Sequence, residues 1–151
     1  MKDTVETVYY EKGSPKSQSH YRFGLLNGLV TSWWPNGQKM GESTYAQGKK
    51  EGKEENWWEN GQKMCECAYK ADLKEGPYAS WRSDGKPWEQ YVYANGEKHG
   101  EFRTWFENGQ LKCEGTFIKG VRIGMYKVWN EAGELVFQKE LEAPTGGNPR
   151  E

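Results

Sequence analysis

The stretch "WWPNGQKMGE" at residues 33–42 returns twenty-four residues later as "WWENGQKMCE" at residues 57–66. Laid on that period, Gly13, Gly37, Gly61, Gly85, Gly109 and Gly133 fall in one register. Four residues ahead of each stands an aromatic: Tyr9, Trp33, Trp57, Trp81, Trp105 and Trp129. Six units in step make this an internal repeat, not a single duplication. Gly28, Gly52, Gly76, Gly100 and Gly124 mark the other half of each unit. Tyr21, Tyr45, Tyr69, Tyr93 and Phe117 precede a further turn at Gly24, Gly48, Asp72, Gly96 and Gly120. The pattern predicts one repeat domain over residues 1–141, with worn first and last copies. A disordered tail rich in Pro, Gly and Asn is expected over 142–151.

Composition is consistent with this organisation. Only 34% of residues are hydrophobic and 28% are charged, which leaves little for a closed core. An aromatic content of 15% nevertheless separates the chain from disordered sequences. A thin, ordered, extended protein meets both constraints.

The turns say what each unit becomes. Asn-Gly between the strand-like runs "LVTSWW" and "KMGESTY" is a hairpin signal. A two-residue type I′ turn would need positive φ at Lys12 and Ala132 as well as at the Asn residues. A type I turn closed by a left-handed glycine needs it only at the glycine, and accepts Pro35. The bulged turn is therefore expected. The fold class follows: all-β, an elongated single-layer antiparallel β-meander of six 24-residue hairpin repeats, about twelve strands in a row. Seven leucines with no leucine column exclude a leucine-rich repeat, and the recurrent glycines exclude a helical one.

On this register Lys39 faces Trp33 and Met40 faces Ser32. The tryptophan column would then share a face with Gly41, Ser43, Tyr45, Cys65, Cys67, Cys113 and Gly115. If the turn at 46–48 is also bulged, each tryptophan would lie across from a glycine of the preceding hairpin and cover it.

The unit "GEFRTWFENGQLKCEGTFIKGVRIG" resembles a MORN repeat (membrane occupation and recognition nexus). The W-x-x-N-G-Q spacing followed by Tyr-x-x-Gly-Lys is similar to the variant in bacterial proteins classed as antitoxins or immunity proteins. The resemblance implies a hairpin sheet used as a binding scaffold, and in that branch a protein that neutralises a cognate toxin. "RSDGKPWEQ" departs from the pattern, with Arg82 for the usual aromatic and Pro87 for the usual lysine.

No catalytic grouping stands out, and the chain reads as a non-enzyme. Its two histidines, His20 and His99, lie in different repeats. Glu42, Glu66 and Glu114 recur in one column, expected opposite Val30, Glu54 and Phe102, as solvated strand positions do. No Ser/His/Asp set, phosphate-binding loop or H-E-x-x-H is present. Cys65 and Cys67 sit two apart on one strand, where a disulfide is geometrically unfavourable, and Cys113 is two repeats away. Three unpaired thiols are expected, with neither metal nor cofactor. They favour the cytoplasm, with the periplasm as the alternative for a chain that has lost a leader.

Charge narrows the partner. Twenty-one basic and twenty-two acidic side chains, without a basic stripe, speak against nucleic acid. "QGKKEGKEE" mixes lysine with glutamate and so makes a poor lipid headgroup site. The expected partner is a protein toxin or effector, bound stoichiometrically; a general or homodimerising scaffold is the first alternative and a membrane-surface module the second. The expected binding surface is the second face, carrying Trp34, Trp58, Tyr78, Arg82, Trp88, Phe102, Phe106 and Tyr126. Trp34, Trp58 and Trp88 are surplus to the aromatic column that builds the sheet, and Trp, Tyr and Arg are the residues enriched at binding hot spots.

Overall fold

Each 24-residue unit folds as two strands because its apolar and aromatic residues alternate between turn-forming residues at both ends. The computed structural model describes residues 3–143, and in it fourteen strands form one open antiparallel sheet. They are β1 Thr4–Tyr9, β2 Pro15–Arg22, β3 Leu25–Trp33, β4 Lys39–Ala46, β5 Lys49–Trp57, β6 Lys63–Lys70, β7 Leu73–Lys74, β8 Gly76–Trp81, β9 Pro87–Ala94, β10 Glu97–Lys98, β11 Gly100–Trp105, β12 Leu111–Ile118, β13 Val121–Trp129 and β14 Leu135–Leu141. β7 and β10 are the leading ends of β8 and β11, set off by Glu75 and His99, so twelve strands make the continuous row. At about 4.8 Å per strand the row is roughly 50 to 60 Å long. No helix occurs among the described residues. Most of the expected disordered tail, from residue 144 on, lies outside them.

A one-layer sheet buries little. Glycine aside, the buried residues among those described are Cys67, Phe102, Thr31 and Ser80. Cohesion therefore comes from neighbour-to-neighbour pairing, as in solenoids.

The hairpin turns are the bulged type. Gly37 has φ +87°, while Asn36 does not enter positive φ. Gly37 N–H donates to Trp34 O at 2.9 Å, and Trp34 N–H to Gln38 O at 2.8 Å. Asn36 Oδ1 accepts Gln38 N–H at 3.0 Å, which holds the turn from inside.

The register differs from expectation by one residue. Trp33 does face Lys39, but Ser32 faces Gly41, so Met40 is an extra, unpaired residue. The same holds at Met64, Trp88 and Lys112, where Asn56 faces Cys65, Ser80 faces Glu89 and Thr104 faces Cys113. A one-residue slip turns over every side chain beyond it. Gly41, Ser43, Tyr45 and their repeats therefore lie on the face opposite the tryptophan column. Glu42, Glu66 and Glu114 face Thr31, Glu55 and Arg103 instead of Val30, Glu54 and Phe102.

The turns between units also correct the reading. Gln47 and Gly48 both have positive φ, 51° and 83°, and Ala46 pairs directly with Lys49. This is a two-residue type I′ turn, whose twist matches that of the flanking strands. The tryptophans consequently do not cover glycines; two of them, Trp57 and Trp81, are themselves covered by lysines. Lys39 Nζ lies 5.7 Å from the centre of the Trp57 ring and Lys63 Nζ 6.0 Å from that of Trp81. A bare glycine is covered elsewhere: a Cβ added at Gly115 would meet Phe102 Cε1 at 2.9 Å and Tyr126 Cδ2 at 3.3 Å.

Candidate functional site

The face that carries the tryptophan column is largely self-neutralised. Lys39 pairs with Glu42 at 2.7 Å, and Lys63 bridges Glu55 and Glu66, both at 2.7 Å. Glu66 and Glu55 are cross-strand neighbours of like charge, so this bridge, joined by Lys53, removes a repulsion. Hydrogen bonds from Lys53 and Lys63 hold the Glu55 carboxyl below the ordinary carboxylate range, and those that Lys63 donates to Glu55 and Glu66 hold its ammonium above the ordinary lysine value. Arg103 and Lys127 flank Glu114 in the same way.

The other face changes character along the row. Over residues 17–69 it presents mostly small or polar side chains, Ser17, Ser19, Ser32, Gly41, Ser43, Asn56, Cys65 and Cys67, with Val30, Glu54 and the rings of Tyr45 and Tyr69. Over residues 78–126 the Val30 and Glu54 column becomes Tyr78, Phe102 and Tyr126, and the Ser43 and Cys67 column becomes Tyr91, beside the column Tyr45, Tyr69, Tyr93 and Phe117 that is aromatic in both halves. Tyr91 stacks on Phe102 at 5.8 Å with an interplanar angle of 11°. Phe102 meets Phe117 at 4.8 Å and reaches Tyr126 at 6.3 Å across Gly115. Tyr78 lies 6.2 Å from Tyr91 and 6.1 Å from Tyr93. Burial and the nearby Glu89 carboxylate push the Tyr91 phenol up to about 12. The result is a continuous aromatic strip, backed by one sheet and faced by no second layer.

A second row runs beside the Asn-Gly turns. Tyr10 Oη donates to Trp33 O at 2.8 Å, Trp34 Nε1 to Trp57 O at 3.0 Å, and Trp58 Nε1 to Trp81 O at 3.0 Å. Arg82 continues the row with Nη2 to Trp105 O at 3.4 Å. Each side chain thus reaches one unit ahead and ties it down. Trp34 and Trp58 are therefore part of the fold, not surplus to it. Arg82 also lies over Trp88, its guanidinium carbon 5.1 Å from the ring centre, while its Nε is buried without an acceptor. Trp88, the unpaired residue of its bulge, is 43% exposed, the largest share for any tryptophan in the described chain.

The eight expected residues accordingly form two groups. Tyr78, Phe102 and Tyr126 lie in the strip; Trp34, Trp58, Arg82 and Phe106 make the row, with Trp88 beside Arg82. Tyr91, Tyr93 and Phe117 complete the strip and were missed, because the register slip had assigned their columns to the opposite face. The histidines are not paired with each other: His20 Nδ1 lies 2.6 Å from Leu29 O, and His99 Nδ1 accepts Lys119 N–H at 3.4 Å. Burial pushes the Cys67 thiol up, away from reactivity.

The chain has no significant match among curated proteins. A family model described as MORN repeat variant matches residues 2–22, 26–47, 50–71 and 98–119, more than half of the chain. The matched residues pass over 72–97, the unit that holds Arg82, Pro87 and Trp88. Repeats of this kind generally serve as protein- or membrane-binding modules. With the periodic hairpins, the one-sheet architecture and the matched units together, the chain belongs to the MORN repeat variant family.

Proposed function

We propose that this chain binds one partner protein through the aromatic strip and the adjoining Arg82–Trp88 pair, and that the partner is a toxin or effector held inactive by occupancy. The observation that carries the reading is the strip itself. Over residues 78–126 Tyr78, Tyr91, Phe102 and Tyr126 add rings in columns that hold Val30, Ser43, Glu54 and Cys67 in the earlier units. A fold that needed only the Tyr45, Tyr69, Tyr93 and Phe117 column for its own cohesion has no reason to add these further rings in one half. Tyrosine, tryptophan and arginine in a patch from which water can be excluded are the common anchors of protein interfaces. The unmatched acceptor need of Arg82 Nε supports the same region, since a buried donor without a partner costs about 1–3 kcal/mol until one arrives. The resemblance of the repeat spacing to bacterial immunity proteins supplies the class of partner.

Calorimetric titration against the product of a neighbouring toxin-like reading frame tests this. One-to-one binding that inhibits the partner in proportion to occupancy, and that weakens about tenfold or more in Tyr91→Ala and Arg82→Ala, is the expected result. Inhibition at catalytic amounts of this chain, or covalent change in the partner by mass spectrometry, would overturn it. Self-association of the chain through the strip, seen by light scattering and abolished by Tyr91→Ala, would favour the homodimerising scaffold instead.

A further inference from the structure

Every unit from the third to the sixth carries a cation two residues ahead of its second glycine: Lys50, Lys74, Lys98 and Arg122. All four lie on rings of the tyrosine-bearing face. Lys50 Nζ is 4.8 Å from the Tyr69 ring centre, and Lys74 Nζ is 4.8 Å from that of Tyr78 and 5.2 Å from that of Tyr93. Lys98 Nζ is 3.5 Å from that of Tyr91, and Arg122 Cζ is 4.8 Å from that of Tyr126.

These cations differ in how they are neutralised. Lys50 is paired with Glu54. Among the described residues, Lys74, Lys98 and Arg122 have no carboxylate within salt-bridge distance, whereas Lys39, Lys53, Lys63, Arg103 and Lys127 on the other face all do. Burial holds the Lys98 ammonium below the ordinary lysine value, and Glu89 only partly opposes this. The rings hold the cations in position without cancelling their charge. What results is a row of fixed, under-neutralised positive charges confined to the aromatic half of the sheet.

The spacing of the row is a ruler. One unit is two strands, so successive cations stand about 9.6 Å apart at the usual strand separation of about 4.8 Å. A polyproline-II helix repeats every three residues at about 3.1 Å each, so its like-facing side chains stand about 9.3 Å apart. A β-strand does not fit as well, because residues three apart in it point to opposite sides. Rings in a groove are also the surface on which polyproline-II segments pack.

We propose that the strip from Lys74 to Arg122 binds an extended acidic segment of a partner protein, in polyproline-II conformation, with a carboxylate at every third residue. It rests on the reading of the aromatic face as the protein-binding surface. Three cations span two units, or about 19 Å, which a heptad-length segment with carboxylates at its first, fourth and seventh residues covers. Charge complementarity sets the register, and proline rings between the carboxylates pack on Tyr91 and Phe117, which Phe102 supports from beneath.

The full chain is titrated by fluorescence anisotropy with the labelled peptide EPPEPPE. EEEPPPP, of identical composition, tests register, and QPPQPPQ tests charge. The expected result is binding of EPPEPPE about tenfold or more tighter than either control. Lys98→Gln should weaken it severalfold and Lys63→Gln, on the opposite face, should not. If Lys98→Gln fails to fold by circular dichroism, Lys74→Gln and Arg122→Gln carry the same expectation. Equal binding of the clustered-acid peptide, or binding of none of the three, overturns the proposal. So does capture by phosphatidylserine vesicles without peptide binding, which would indicate a membrane surface. A natural partner that tolerates loss of all three cations but not Tyr91→Ala refutes this inference while leaving the aromatic-face reading intact; one indifferent to Tyr91→Ala refutes both.

Discussion

Gly115→Ala asks whether the aromatic strip is a packed object or a loose array of side chains. The added Cβ would stand 2.9 Å from Phe102 Cε1, where about 3.5–4.0 Å is the favourable carbon separation. Phe102 has little room to yield: it is 5% exposed, with Tyr91 stacked on one side and Phe117 at 4.8 Å. Overpacking of this kind costs about 1–3 kcal/mol. Against it, replacing a strand glycine whose φ is not positive recovers about 0.5–1 kcal/mol of chain entropy. The net expectation is a loss of about 0.5–2 kcal/mol, read as a fall in Tm of about 2–6 °C for a chain of this size. Gly41→Ala is the control. Its Cβ would meet Asn56 Oδ1 at 2.6 Å, the movable end of a side chain, and the change should stay within about 0.5 kcal/mol. Phe102→Leu should cost about 1 kcal/mol less in the Gly115→Ala background than alone, because the two share one contact. A neutral or stabilising Gly115→Ala would mean that the ring is not seated on the backbone, and the strip would lose its claim to be a preformed surface.

Removing residues 53–76, one unit in register, should leave a folded, shorter sheet by circular dichroism, since each unit contacts its neighbours; total collapse would refute the nearest-neighbour account. Lys119 sits at φ 48° in a type I′ turn, so Lys119→Asn should raise Tm by a few degrees, about 1 kcal/mol in stability, and a lower Tm would count against that turn. Trp58→Phe keeps the ring but loses the donor to Trp81 O, and should cost about 0.5–1.5 kcal/mol in denaturant midpoint analysis; no change would refute a structural role for that bond. The Glu55 carboxyl titrates below its ordinary value of 4.5, so its contribution is complete above that pH and is lost as pH falls through the lower folded value. The Tm difference between wild type and Glu55→Gln should therefore shrink below about pH 4.5, and a difference unchanged at pH 2.5 would exclude the Lys53–Glu55–Lys63 bridge as its source.

The hairpin array was legible because its signals are local. Asn36-Gly37 closes a turn wherever it occurs between strand-like runs, and twenty-four-residue spacing lines the turns up. The faces were not legible, because they depend on one unpaired residue. Nothing in "GQKMGE" marks Met40 as a bulge, yet its insertion decides whether Tyr45 and Gly41 lie with the tryptophans or against them. The grouping of Tyr78, Phe102 and Tyr126 survived because these residues precede the bulge within their own units. Tyr91 and Phe117 follow it and were assigned to the other face. The cation column needed no structure to be seen as periodic, since "KKEG", "LKEG", "EKHG" and "VRIG" align. What the sequence lacked was the knowledge that those cations stand on rings.

The ties that run from Tyr10 through Trp34 and Trp58 to Arg82 stop at Phe106, which offers no hydrogen-bond donor to the final unit. Only Asn108, donating to Glu131 O at 2.9 Å, spans that junction beside the turns. The last unit thus lacks the tie that the others share and has a neighbour on one side only, so it is the end of the row that should part first. In amide hydrogen exchange β13 and β14 should open as a block, ahead of β3 to β9 and with a lower free energy than global unfolding. Tyr126 leaves the strip when that block opens, taking Arg122 with it. A partner seated across Phe102 and Tyr126 would therefore clamp the end unit of the sheet, and its departure would be timed by that unit swinging free rather than by the whole surface letting go.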